Sequence, residues 1–255
     1  MIRIKSDEEI LAMKKSGAVV ASVFEAIAPL MKPGVSTGDI DRVAHEVIVG
    51  AGAIPSFLGY GGSGVVPFPA ATCISIDDEV VHGIPSDDRF LEDGMVVSVD
   101  VGAYLDGFHS DAARTYIIGN VPPRVRELVE VTEESFWKGL EKARPGNRIG
   151  DISAAVQQHC ESHGFGVIRV LTGHGVGREL HESPNLPNFG RKGRGLRLQA
   201  GMTLALEPMV TLGSYNVVMT SNDWTFVTVD GQPSSHYENT FAITDEGPVV
   251  LTLRP

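Results

Sequence analysis

Two carboxylates, Asp100 and Asp111, stand in SVDVGAYLDGFHSDAARTY (98–116), on either side of an Asp106-Gly107 pair suited to a two-residue hairpin turn. A turn centred on that pair makes them diagonal neighbours across the hairpin. A turn centred one residue earlier makes them directly opposed. Both registers put the two side chains on one face, because strand side chains alternate with a period of two; a three-residue loop would break that parity. Two like charges about 4 Å apart repel by roughly 4 kcal/mol at an effective dielectric near 20. A cation between them turns this cost into a binding site. Taken alone, such a pair is more often one surface aspartate and one satisfied polar residue.

Two further acids sit where apolar side chains are expected. Glu207 lies inside MTLALEPMV, with Pro208 ending regular pairing, and Glu238 opens the run HYENTFAIT. Buried charge is tolerated mainly when it is paired or bound to metal. His174, in LTGHGVGRELHESP, is flanked by glycines that let the backbone approach something closely. One histidine with four carboxylates is an oxygen-rich set, suited to a pair of Mn²⁺, Co²⁺, Fe²⁺ or Zn²⁺ ions rather than one structural zinc. The charges agree, since four carboxylates balance two divalent cations. A water between two such ions about 3.5–4 Å apart ionises near neutral pH and can attack a peptide carbonyl.

The elements that position these residues can be read in outline. Ser6 and Glu9 form a capping-box pattern, and Ile10, Met13, Val20, Phe24 and Ile27 give one apolar helix face, ended near Lys32-Pro33-Gly34. A second helix is predicted over about 38–49, and a Gly/Pro-rich loop over 53–70. Strands follow at about 72–77, 95–103 and 108–118, then helices at roughly 124–143 and 150–162. From 167 onwards the chain reads as strands and loops. KPGVSTGDIDRVA (32–44) and RPGNRIGDISAAV (144–156) align without gaps at an offset of 112 residues. The expected fold class is therefore α+β: two related halves, about 1–120 and 121–255, in one catalytic domain, sharing a curved antiparallel sheet with helices on its outer face.

Composition narrows the partners. The chain has 255 residues, 42% hydrophobic and 21% charged, with a formal net charge of −11. That balance argues against nucleic acid as the main partner, and the cationic stretch RKGRGLRL (191–198) reads as a solvated loop. Cys73 and Cys160 are too few for a disulfide scaffold and form no CxxC motif. MIRIKSDEEILAMKK lacks a long apolar core, and no run approaches ~18 apolar residues, so neither signal peptide nor membrane span is expected. A reducing cytoplasm is the expected compartment. Other motifs fail: His181-Glu182 begins an HExxH-like pattern, but Asn185 replaces the second histidine. Gly59, Gly61 and Gly64 match GxGxxG, but prolines follow where a phosphate-binding helix must open. GxSxG and P-loop motifs are absent.

In order and spacing, VVHGIP (80–85), the 98–116 hairpin, GHGVGRELHESP (173–184), LALEPMV (204–210) and HYENTFAIT (236–244) resemble the type I methionine aminopeptidases, of the pita-bread fold. The resemblance runs through nearly the whole chain. It implies removal of the initiator methionine from peptides and nascent chains with a small second residue, near the ribosome surface; a monomer is expected because the short acidic chain gives no sign of an obligate interface. It further implies that Asp111 and Glu238 bridge two metals, that His174 and Glu207 complete one shell, and that Asp100 chelates the other metal. Glu207 would also move the proton of the attacking water. His181 would stabilise the developing carbonyl charge, and His82 would contact substrate near the scissile amide. Phe57, Tyr60, Cys73, Leu180 and Trp224 occupy the family's methionine-pocket positions. The loop GYGGSGVVPFPAATC (59–73) is a few residues longer than the familiar bacterial form. An Xaa-Pro aminopeptidase or prolidase of the same fold, and an inactive pita-bread binding protein, are the competing readings. The first would carry an additional N-terminal domain, and the second would lack metal ligands.

Overall fold

The computed structural model describes residues 2–61 and 66–253. Gly64 and the centre of the long 59–73 loop lie outside the described residues.

Helix α1 (Asp7–Ile27) starts with both bonds of the expected capping box, and buries Met13, Val20, Phe24 and Ile27. Helix α2 (Thr37–Gly50) is capped by the Ser36 hydroxyl, which accepts from the Asp39 amide. Strands β1 (Ile54–Pro55), β2 (Thr72–Ile76), β3 (Glu79–Val81), β4 (Val96–Leu105) and β5 (Phe108–Ile117) follow. The pattern then restarts with helices α3 (Pro123–Leu140) and α4 (Ile149–Ser162). Helix α3 stops short of the expected 143, giving way to tighter turns in which the Lys142 and Ala143 amides donate to the Gly139 and Leu140 carbonyls.

After α4 come β6 (Gly166–Val167), β7 (Gly173–Gly175), β8 (Glu182–Leu186), β9 (Thr203–Leu206) and β10 (Met209–Thr211). The last are β11 (Val217–Met219), β12 (Phe226–Thr228), β13 (Ser234–His236), β14 (Asn239–Thr244) and β15 (Gly247–Val250). Hydrogen bonding divides these strands into four antiparallel sections: β1-β4-β2 with β5 on β4, β13-β10-β6, β11-β12-β3, and β15-β14-β9-β7-β8. No helix among the described residues is long and apolar enough to cross a membrane.

Alternation along β4 explains how an apolar strand carries an acid. Val97, Val99 and Val101 enter the core beneath α1 and α2, with Ile27, Ile40 and Ile74. Ser98, Asp100 and Gly102 therefore face the other way. The Asp106-Gly107 turn takes positive φ at both residues. Asp100 consequently pairs with Ala113 and Asp111 with Gly102, the diagonal arrangement on one face. A second core, including Leu128, Phe136, Ile152, Leu204 and Phe241, backs the other half.

The halves meet through backbone. The Glu238 amide donates to the Ala113 carbonyl at 3.0 Å, and the Ala113 amide returns a bond to the Glu238 carbonyl at 3.3 Å. Beside them the Asp111 amide donates to Thr240 Oγ1 at 2.9 Å, and that hydroxyl donates to the Asp111 carbonyl at 2.9 Å. Arg114 reinforces the seam by donating to the Glu238 carbonyl and to Asn239 Oδ1.

Gly102 is packed so closely that a Cβ there would lie 2.8 Å from Ser56 Cβ and 2.9 Å from Phe57 Cε1. Gly102→Val is therefore expected to overpack the hairpin and lose at least about 1–3 kcal/mol of stability, measured by urea unfolding.

Candidate metal centre and adjoining pocket

The hairpin, the seam and two strand breaks bring the acids together. Glu207 occupies the gap between β9 and β10, and Glu238 the gap between β13 and β14. Outside regular pairing, both side chains can turn toward Asp111 instead of alternating with the sheet. The Glu207 backbone is held in its gap by Asn188, whose Nδ2 donates to the Glu207 carbonyl at 2.8 Å. His174 lies on β7 between β8 and β9. A Cβ on Gly173 would fall 2.4 Å from the Ala205 carbonyl oxygen, and one on Gly175 2.6 Å from that of Ser183. The flanking glycines thus let β7 sit close to its neighbours' backbones.

Asp111, His174 and Glu238 are buried, each offering a ligand atom within 4.8 Å of the others. Glu207 Oε1 lies 3.5 Å from His174 Nε2, and Asp111 Oδ2 lies 4.0 Å from it. His174 Nδ1 donates to the Gly175 carbonyl at 2.8 Å. That bond fixes the tautomer, leaving the Nε2 lone pair facing carboxylate oxygens. Burial keeps the ring neutral, its pKa pushed down to about 3. Acceptors facing acceptors gain nothing from one another; a shared cation satisfies them all. Asp100 Oδ1, Asp111 Oδ1 and Glu238 Oε1 are moreover buried without a hydrogen-bond partner. Orphaned oxygens of this kind are costly, and a divalent cation fits the donor set.

Burial raises the carboxyl pKa of Asp111 to about 7. Burial also lifts Asp100, Glu207 and Glu238 well above the ordinary carboxylate range, and the charge of Asp111 pushes each of the three further up.

The acids form one end of a cavity that is partly open to solvent. All the residues singled out from the sequence line it. Cys73 pairs directly with Asp100 across β2 and β4, so the apolar wall starts beside the acids. Phe57, Cys73 and Leu180 are buried there, with Trp224 packed against them. Burial raises the Cys73 thiol pKa well above its usual value, so it remains a neutral wall group. His82, at positive φ, meets the Trp224 ring edge-on at 6.2 Å, and burial lowers its pKa to about 4. His181 is exposed at the rim; its Nδ1 is 2.5 Å from the Tyr60 hydroxyl and its ring 4.2 Å from that of His174.

Sequence reasoning missed three participants. Phe68 lines the pocket and meets Trp224 edge-to-face at 5.2 Å, but only an apolar residue amid Gly and Pro marks it. His236 is buried with its ring nitrogen toward Glu207 and Glu238; its place two residues before Glu238, on the same face of an extended chain, was the available signal. Glu182, dismissed with the failed HExxH pattern, pairs at 2.5 Å with Lys5. It also accepts from the Arg178 and Glu179 amides, which ties down the loop carrying Leu180 and His181. Nothing local in sequence links Lys5 to Glu182.

Comparison with known proteins agrees with this architecture. The pattern of metallopeptidase family M24 matches residues 11–245. The methionine aminopeptidase of Clostridium acetobutylicum is 52% identical over 253 residues, 99% of each chain. The crystal structure of methionine aminopeptidase from Thermotoga maritima superposes with a TM-score of 0.96 at 45% identity, over 100% of both chains. A prolidase from Pyrococcus furiosus shares the fold alone, at TM-score 0.78 and 22% identity; the match covers 99% of this chain and 66% of that one.

The raised carboxyl pKa values fix the sign of a pH effect. Between the unfolded values near 4 and the folded value of about 7 for Asp111, the folded metal-free chain holds more protons than the unfolded chain. Its stability must fall as pH rises through that window. Urea unfolding of chelator-stripped protein is expected to show lower stability at pH 7.5 than at pH 5, with a smaller difference in Asp111→Asn. Adding Mn²⁺ at pH 7.5 is expected to restore the wild type but not the variant.

Proposed function

The chain belongs to metallopeptidase family M24, among the type I methionine aminopeptidases and in their pita-bread fold, and on this premise we propose how its chamber divides the work of removing an N-terminal methionine. It is a metal-dependent aminopeptidase acting on N-terminal methionine in peptides and proteins. One observation carries the assignment of its residues: buried, unpartnered carboxylate oxygens converge with His174 at the end of an apolar pocket.

In this reading Asp111 and Glu238 would be shared by two divalent cations, His174 and Glu207 would help hold one of them, and Asp100 would hold the other. Asp111 and Glu238 are the two carboxylates that the tight cluster joins with His174, which supports their shared role. Co²⁺, Mn²⁺, Fe²⁺ and Zn²⁺ all suit these donors, and availability selects among them. Bound there, such ions polarise a peptide carbonyl and acidify a water.

The protein groups do the rest. Glu207, with its raised pKa, is matched to accept the proton of the attacking water and deliver it to the leaving amine. The Tyr60 hydroxyl donates to His181 Nδ1, so the neutral ring presents its Nε2–H to the developing oxyanion. His82 contacts the substrate near the scissile amide; Thr225 Oγ1 donates to its carbonyl at 3.0 Å and holds it in place. The methionine side chain lies against Phe57, Phe68, Cys73, Leu180 and Trp224, whose apolar surface suits a flexible, polarizable thioether. Tyr60 and His181 crowd the rim, which favours a small second residue.

The reading extends to a monomer acting on nascent chains in the cytoplasm, near the ribosome. Two free, buried cysteines support a reducing compartment. We also take residues 1–120 and 121–255 as copies of one unit within a single catalytic domain; the recurrence of a helix pair followed by antiparallel strands supports this.

Three outcomes test these roles. Metal-free protein titrated separately with Fe²⁺, Mn²⁺, Co²⁺ and Zn²⁺ is expected to recover cleavage of Met-Ala-Ser, read by mass spectrometry, and to leave Xaa-Pro peptides intact. Turnover of the proline substrate alone would reverse the specificity assignment. Asp111→Asn is expected to lose bound metal and hydrolysis together, and retained activity would refute the ligand set. His181→Ala is expected to lower kcat by about 10²–10³-fold with KM little changed, as for loss of one oxyanion donor.

A further inference from the structure

We propose that His236 is a positioning residue for the metal-binding carboxylates, a fixed N–H donor beneath the chamber that holds Glu207 and Glu238 in place. The inference rests on the assignment of those two glutamates as metal ligands.

The His236 side chain is buried, 1% exposed, and its Nε2 has no hydrogen-bond partner. It lies 3.7 Å from Glu207 Oε2 and 3.9 Å from Glu238 Oε2. Each carboxylate needs to move by less than about 1 Å to accept from it. An Nε2 lone pair facing two carboxylates would be repelled, so the tautomer carrying Nε2–H is the one that fits.

Its backbone is clamped from two sides. In β13, His236 pairs with Met209, two residues beyond Glu207. From the first half, Thr115 Oγ1 accepts from the His236 amide at 3.0 Å and donates to its carbonyl at 2.8 Å. Thr115 is itself bonded to Ser98 at 2.8 Å. The backbone that carries the ring cannot withdraw from the acids without breaking this seam. Ligating carboxylates need such outer hydrogen bonds, because a ligand free to rotate loses affinity when it must be ordered.

The test separates a donor from a space-filler. His236→Leu removes the N–H at similar volume, and His236→Gln brings an amide N–H to about the same reach. By calorimetric titration of chelator-stripped protein with Mn²⁺, His236→Leu is expected to weaken binding by about 10–100-fold, and His236→Gln to remain within about 3-fold of wild type. On Met-Ala-Ser, His236→Leu is expected to lose kcat with KM little changed. The melting temperature of the stripped Leu variant is expected to hold or rise, because the nitrogen removed was unsatisfied. Wild-type Mn²⁺ affinity in His236→Leu, equal weakening in both variants, or a fall in stripped-protein stability parallel to the affinity loss would each overturn the proposal. Glu207→Gln in the same titration tests the underlying assignment. Intact Mn²⁺ binding there removes Glu207 as a ligand. Lost binding there, with intact binding in His236→Leu, removes only the role of His236.

Discussion

Four carboxylates repel one another across one buried chamber, and the surrounding architecture keeps them from moving apart. A flexible scaffold would relieve the strain by swinging an acid into solvent. Here Asp100 and Asp111 are fixed by a ten-residue pairing of β4 with β5. Glu238 is sewn to that hairpin by reciprocal backbone bonds with Ala113. Glu207 is held by Asn188 and by the strands on either side of it. The remaining ways to relieve the repulsion are protonation and a cation. Raised carboxyl pKa values report the first route, and orphaned oxygens facing the unprotonated nitrogen of His174 mark the second.

The rim is built on a different principle from the floor. Apart from Cys73 on β2, the groups lining the pocket mouth and wall lie mostly on loops or at strand ends, and side chains remote in sequence tether two of these loops. Glu182 joins the His181 loop to Lys5, with side chains only 5% and 4% exposed. Trp224 Nε1 donates to the Val66 carbonyl at 2.9 Å, linking the pocket wall to the long loop. Floor residues sit on sheet strands or in the breaks between them. The acids thus rest on sheet backbone, and the pocket wall rests largely on loops tied down by side-chain bonds.

The hairpin was legible in the sequence because an Asp-Gly turn fixes register locally, and register alone decides whether Asp100 and Asp111 share a face. The capping box at Ser6 and the helix faces were legible for the same reason. Glu207 and Glu238 stood out as acids in apolar runs, and His174 by its glycines. Participants of another kind stayed hidden. Phe68 lies in a loop whose composition predicts only irregularity. Lys5 and Glu182 meet through tertiary structure, 177 residues apart. His236 looks like any polar residue beside a strand until burial and the facing acids are known. The division of the sheet into four sections was readable only in part: Pro208 marked the break at Glu207, but the break at Glu238 goes with backbone bonds to Ala113 in the other half.

The seam between the halves also bears on when the protein becomes a peptidase during its own synthesis. Asp100 and Asp111 emerge in the first half, whereas Glu207 and Glu238 belong to the last fifth of the chain. Glu238 takes its place only when its backbone bonds to Ala113 close. A product that stops before Glu207 therefore lacks two of the four carboxylates. Hydrolytic competence arrives last, as a property of the completed chain, and fragments released by premature termination or nicking carry none of it.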